Sequence, residues 1–197
     1  MFTITPCAAG CGQPAIFGSA LCAAHAVDPK GEAKRIGEYI AGQRAIKNLN
    51  AQGLYFEEFD FSGLHLYGCD FYGASFSRCN FSGSYMRLVF FDFSAFTSCD
   101  FSGADFRFIS FAGTTLKECL FIGAELIDVN YGGAVISDTV FKNNNLYNSR
   151  FIEAKISGTD FINCNLKRTN FINCPHKGII FKSSNTAEAI FETEEAG

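Results

Sequence analysis

The sequence predicts an all-β chain wound into a four-sided helix of stacked coils, and two observations support this. The first is a large apolar residue at every fifth position, unbroken for 24 units from Phe56 to Phe171. The second is that residues twenty positions apart match. One such column contains phenylalanine throughout, at Phe61, Phe81, Phe101, Phe121, Phe141, Phe161 and Phe181. Four units would therefore close one coil, and successive coils would stack at about 4.8 Å.

A period of five fits neither regular element. On an α-helix five residues turn through about 500°, so the apolar side chain would drift by about 140° in each unit. In a flat strand an odd period would send successive large residues to opposite faces. The chain must therefore turn once per unit to keep every large residue inside. Identical residues in register then stack on one another.

Within each unit, a small residue stands two positions before the large one, and Asp or Asn often lies between them. The run from Cys99 to Arg107, CDFSGADFR, shows the pattern clearly. It resembles the pentapeptide repeat family. The resemblance implies a right-handed quadrilateral β-helix, which we place over residues 54–185. We expect the Asp and Asn residues to face outward and stabilise turns, and the glycines at the fifth position to adopt positive φ.

The first residues contain four soft metal ligands, Cys7, Cys11, Cys22 and His25, in the spacing C-x3-C-x10-C-x2-H. Three thiolates and one imidazole suit a closed tetrahedral Zn²⁺ site, which argues for a structural role. The segment resembles small zinc knuckles, and we assign it to residues 1–28. The alternative is a tail with incidental cysteines.

A helix is predicted next, within a capping segment at residues 29–53. Asp28 and Pro29 signal its start, and apolar residues at helical spacing extend it from Lys30 to about Asn48. Such a helix would cover the open N-terminal end of the coils, since solenoid ends expose apolar rings and unpaired edges. Phe181 and Phe191 continue the five-residue series and suggest an imperfect seventh coil. We assign residues 186–197 to an acidic tail.

Composition limits the partners and the compartment. The net charge is −4, and residues 54–185 carry 13 acidic and 11 basic side chains, so there is no basic stripe for direct nucleic acid binding. The sequence has neither an 18-residue apolar run nor a start typical of a secretory signal, so we expect no membrane span. Six cysteines occupy the small-residue position. We expect them to be buried reduced thiols of a cytoplasmic protein.

No catalytic motif is recognisable, so we expect a non-catalytic scaffold that presents a rigid surface to a protein partner. The alternative comes from the resemblance: quinolone-resistance members of the family mimic DNA and bind DNA gyrase. That role would need a strongly acidic rod, whereas these charges nearly balance. A secreted effector is a third possibility that leaves no mark on the sequence.

One surface is not explained by the repeat. Leu88, Phe90 and Phe93 fall in outward positions, and Phe108 lies one coil after Leu88 in the same outward column. Arg87 and Arg107 stack beside them. Aromatic residues with arginine are typical of interface centres, so we predict that this patch binds a partner protein or a second copy. The alternatives are that the helix or the zinc knuckle folds over it, or that an irregular coil buries it.

Overall fold

The protein, seen here in a computed structural model, is described over residues 4–175 and 178–191. One helix, α1 (Pro29–Ala41), precedes fourteen strands of three residues each, and a short 3-10 turn (Thr186–Glu188) lies near the end. The strands are β1 (Ala45–Lys47), β2 (Tyr55–Glu57), β3 (His65–Tyr67), β4 (Ser75–Ser77), β5 (Tyr85–Arg87), β6 (Ala95–Thr97), β7 (Asp105–Arg107), β8 (Thr115–Lys117), β9 (Leu120–Ile122), β10 (Glu125–Ile127), β11 (Val135–Ser137), β12 (Val140–Lys142), β13 (Lys155–Ser157) and β14 (Asp160–Ile162).

The strands stack into four faces, which confirms the predicted quadrilateral β-helix. The first face is the sheet β1-β3-β5-β7-β10, the third is β2-β4-β6-β8-β11-β13, and the fourth contains β9-β12-β14. Every pairing is parallel and joins residues twenty apart, as between Phe56 and Phe76. The second face is a ladder of single bridges through Asn50, Asp70, Phe90, Ser110, Asn130, Arg150, Asn170 and Ile190.

The core consists of rings stacked along the rod. In the column from Phe61 to Phe181, successive ring centroids lie 4.6–5.4 Å apart with interplanar angles of 18° or less. Phe101 is fully buried, as are its neighbours Phe81 and Phe121. The small residues complete this interior. The six cysteines of the repeat are buried. Burial raises the pKa of Cys69 to about 11, so its thiol stays protonated.

The turns between faces follow the expected chemistry. The Asp60 carboxylate accepts a hydrogen bond from the Ser62 N–H at 3.0 Å, and Asp100 accepts one from Ser102 at 2.8 Å. The fifth position has left-handed backbone geometry, as at Gly103 with φ 65°. Many residues other than glycine adopt the same geometry, with φ between 51° and 60°. The repeat therefore imposes this conformation even where a side chain makes it unfavourable.

The ladder is longer than the predicted 54–185 range. It begins at β1, where Ala45 pairs with His65, and its last bridge joins Asn170 to Ile190. Accordingly α1 ends at Ala41 rather than near Asn48. Ile46, which we assigned to the helix, is instead an inward residue of the first coil. His176 and residues 192–197 of the acidic tail lie outside the described residues.

Helix α1 covers the N-terminal end of the rod. The Asp28 carboxylate accepts a hydrogen bond from the Gly31 N–H at 3.0 Å and so caps the helix start. Ile36 and Ile40 are buried in the same apolar cluster as Ile46 of the first coil. Within the described residues no helix has the length and hydropathy needed to cross a bilayer.

Candidate metal centre and docking surface

The four predicted metal ligands converge. The ligand atoms of Cys7, Cys11, Cys22 and His25 all lie within 4.8 Å of one another. The His25 Nδ1 is 3.3 Å from the Cys22 sulfur and 3.7 Å from the Cys7 sulfur, and the sulfurs of Cys11 and Cys22 are 3.7 Å apart. A tetrahedral Zn²⁺ with Zn–S bonds of about 2.3 Å separates its sulfurs by about 3.8 Å. The side chains therefore fit such an ion.

Local turns bring the ligands together. Gly10 and Gly12, with φ of 73° and 79°, flank Cys11 and let the chain turn tightly there. The His25 N–H donates to the Cys22 carbonyl at 3.0 Å, which closes a second turn and points the imidazole back at the sulfur. The Cys22 N–H lies 3.4 Å from the Cys7 sulfur and lowers the pKa of Cys7 to about 6. The thiolate that a metal requires is thus favoured.

The segment between the second and third ligands packs directly on the rod. Ile16 is buried in the core cluster, and the Phe17 N–H donates to the Asn50 carbonyl at 2.8 Å. In return the Asn50 side-chain amide donates to the Ala15 carbonyl at 2.5 Å. The Arg35 guanidinium of α1 donates to the Phe17 carbonyl. The N-terminal segment, residues 4–28, therefore covers the first rung of the second face.

The aromatic patch, defined as Leu88, Phe90, Phe93 and Phe108, faces solvent. The exposed fractions are 52% for Leu88, 40% for Phe90, 64% for Phe93 and 58% for Phe108. Neither α1 nor the N-terminal segment buries the patch. The predicted outward orientation is confirmed, whereas binding through this surface stays a prediction.

The patch spreads across the second face and both of its corners. Leu88 and Phe108 lie on the corner between the first and second faces, which we call the first corner, while Phe93 lies at the opposite corner of the second face. All three have left-handed backbone geometry, with φ of 54°, 57° and 56°. The same position elsewhere is mostly glycine, asparagine or a charged residue. Because folding does not favour large apolar side chains there, their presence points to a surface role.

The two arginines predicted to lie beside the patch differ in the number of contacts that they make within the rod. Arg87 lies flat on the Tyr85 ring, 3.6 Å from its centroid, and its Nη2 donates to the Asp105 carboxylate at 2.9 Å. A second nitrogen donates to the Met86 and Asp105 carbonyls, each at 2.8 Å. Arg107 makes a single, looser ion pair with Asp105 at 3.6 Å and remains 44% exposed. Arg107 is therefore the freer charge beside the patch.

These features define a parallel β-solenoid with five-residue units, and comparison with known proteins identifies its kind. The sequence matches the pentapeptide repeat region over residues 114–191 and a further set of pentapeptide repeats over residues 48–83. The two matches together span more than half of the chain. The protein therefore belongs to the pentapeptide repeat family. A search of curated proteins finds no significant match.

A solved structure shares this fold. A trypsin-treated variant of QnrB1, a plasmid-mediated fluoroquinolone resistance protein, is 18% identical with a TM-score of 0.52, covering 77% of this chain and 84% of that chain. HetL, involved in heterocyst differentiation regulation in the cyanobacterium Nostoc, is 18% identical over 82% of this chain and 96% of that chain, with a TM-score of 0.37. At 18% identity the likeness to QnrB1 concerns the fold alone.

Proposed function

We propose that this protein is a non-catalytic scaffold whose aromatic patch docks a partner protein or a second copy. The observation that carries the proposal is the exposure of four large apolar side chains on adjacent coils, three of them at positions where the backbone favours glycine. Soluble monomers seldom leave such a contiguous apolar surface bare. The stacked coils beneath it supply a rigid support, so little conformational entropy is lost on binding.

We also propose that Cys7, Cys11, Cys22 and His25 bind one structural Zn²⁺. The support is the mutual proximity of the four ligand atoms and their fit to a tetrahedral ion. With all four positions filled by protein, the ion would serve folding rather than catalysis. The many buried cysteines of the rod favour a reducing compartment such as the cytoplasm.

Binding of DNA gyrase is not our preferred function. The 13 acidic and 11 basic residues of 54–185 do not give the strongly negative rod that DNA mimicry requires. A gyrase supercoiling assay with the purified chain checks this directly. Inhibition at micromolar concentration would favour the gyrase hypothesis over ours.

The docking proposal is tested by changing Phe90 and Phe108 together to serine. Their exposure predicts an unchanged melting temperature but loss of self-association in sedimentation velocity, or loss of a specific partner in affinity purification. The matched control changes Leu120 and Ile122 on the fourth face, which are 39% and 37% exposed. That variant should keep the interaction. A large fall in melting temperature, with both the parent chain and the variant monomeric and without partner, would show that the patch serves folding instead.

A further inference from the structure

A cleft of about 490 Å³ lies between the N-terminal segment and the rod. Ile4 and Phe17 line it on the side of the segment, whereas Lys47, Asp70 and Phe90 line it on the side of the rod. A cavity of this size accommodates a few side chains of a bound peptide. Its position next to the first corner raises the question of what could enter it.

The cleft is continuous with the aromatic patch, because Phe90 belongs to both. Along the first corner the coils place Asn48, Gly68, Leu88 and Phe108 in one column, as the ladder bonds from the Asn48, Gly68 and Leu88 N–H groups to the next coil show. Gly68 has no side chain, so the surface between Asn48 and Leu88 is a shallow depression. We call this strip along the first corner the passage. Three steps of about 4.8 Å give the column a length of about 14 Å, which matches about four extended residues.

Positive charge follows one side of this passage. Lys47, Tyr67, Arg87 and Arg107 occupy one register column on the first face. Asp105 is shared between the two arginines, at 2.9 Å from Arg87 and 3.6 Å from Arg107. Lys47 is exposed and forms no ion pair with any residue that the structure describes. Asp105 therefore binds Arg87 more closely, and Lys47 and Arg107 are the two exposed cations on this side.

The acidic groups on the other side are already engaged within the rod. The Asp70 carboxylate accepts hydrogen bonds from the Gln52 side-chain amide at 2.6 Å and from the Tyr72 N–H at 2.9 Å. The Asp92 carboxylate accepts one from the Ser110 hydroxyl. Both carboxylates keep their negative charge, because their donors are neutral, but Asp70 and Asp92 are half-buried whereas Lys47 and Arg107 are exposed. The most exposed charges along the passage are therefore the two cations.

We propose that the cleft and the patch form one binding site for an extended peptide segment in which apolar and acidic side chains alternate. The apolar side chains would lie on Phe90, Leu88 and Phe108, and the acidic ones would face Lys47 and Arg107. This inference rests on the proposed docking function and names the chemistry of its partner. Nucleic acid fits less well, since the floor of the site is apolar and a polyanion needs more than the two exposed cations Lys47 and Arg107.

The test selects binders from a phage-displayed random peptide library on the full chain and measures the selected peptides by fluorescence anisotropy. We expect enrichment of Asp or Glu together with Leu or Phe. The double variant Lys47→Glu/Arg107→Glu should weaken binding at least tenfold, and it should flatten the salt dependence. Lys142→Glu/Lys155→Glu, which reverses two exposed charges on the fourth and third faces, is the matched control and should leave binding unchanged.

The outcomes separate this inference from the docking function. Loss of peptide binding in Phe90→Ser/Phe108→Ser but not in Lys47→Glu/Arg107→Glu would keep the docking surface and overturn the acidic partner. Peptide binding that survives both variants, or a selection that yields no binders, overturns the peptide site. The docking function itself is overturned only if Phe90→Ser/Phe108→Ser leaves self-association and partner capture unchanged. Competition of the selected peptides by a single-stranded thymidine oligonucleotide would overturn the peptide site in favour of nucleic acid.

Discussion

Phenylalanine fills both the interior of the rod and the aromatic patch, but for different reasons. Inside, Phe101 stacks between Phe81 and Phe121 at 4.8 Å and 4.6 Å and is fully buried. Outside, Phe93 is 64% exposed and adopts a φ of 56°. Burial explains the first residue, whereas the second packs only at the surface, against Tyr72 and over Gly113. An outward apolar residue of a repeat protein therefore carries more information about binding than an inward one.

The largest expected effect comes from the interior. Phe101→Ala should lower the free energy of unfolding by about 3–5 kcal/mol, because it removes a ring stacked on both sides and leaves a cavity. Asp100→Ala, the adjacent outward control, loses one hydrogen bond to the Ser102 N–H and should cost only about 1 kcal/mol. Urea unfolding of both variants measures the difference. Equal losses would contradict the inward and outward assignment.

The next effect concerns the junction between the metal centre and the rod. Elemental analysis of the purified chain should find about one Zn²⁺, and Cys22→Ser should lose it. The rod should keep its β-type circular dichroism. The free energy of unfolding of the rod should still fall by about 2 kcal/mol, because Ile16 of the N-terminal segment would lose its packing in the core. Hydrogen exchange should rise first at the Asn50 rung.

Cys99→Ser is the control for the metal centre, because this cysteine occupies the small-residue position inside the rod. It should retain the metal in full. Zinc that persists in Cys22→Ser would refute the ligand assignment. Complete loss of the β-type circular dichroism in that variant would show that the first coil cannot form without the N-terminal segment.

The smallest effect on stability is expected at Tyr131. It is the one tyrosine in a column that otherwise consists of phenylalanines from Phe71 to Phe191. The residue is fully buried, and its hydroxyl has no hydrogen-bond partner among the described residues. Tyr131→Phe removes this unsatisfied group and should raise the free energy of unfolding by about 1 kcal/mol. Thermal unfolding measures the change. A loss of stability would mean that the hydroxyl is hydrogen-bonded in solution.

The sequence predicted the coil, its columns and the orientation of the patch, because a period of five leaves few alternatives. It misplaced the start of the ladder, since Ile46 fits both the helical spacing of α1 and the five-residue series. The bond from the Phe17 N–H to the Asn50 carbonyl was not predictable, because backbone hydrogen bonds between distant segments leave no residue pattern. The commitment of Arg87 to Asp105 depends on side-chain conformation, which a register argument does not give.

The central claim is that the patch, rather than another part of the rod, is the binding surface. Site-specific photo-crosslinking in the producing cells tests it most directly, with a benzoylphenylalanine placed at Phe93 in one strain and at Ile122 in another. Both positions are exposed and lie on different faces. The account predicts a discrete crosslinked species from position 93, either a partner or a dimer, and none from position 122. Crosslinks of equal yield from both positions, or from position 122 alone, would contradict it.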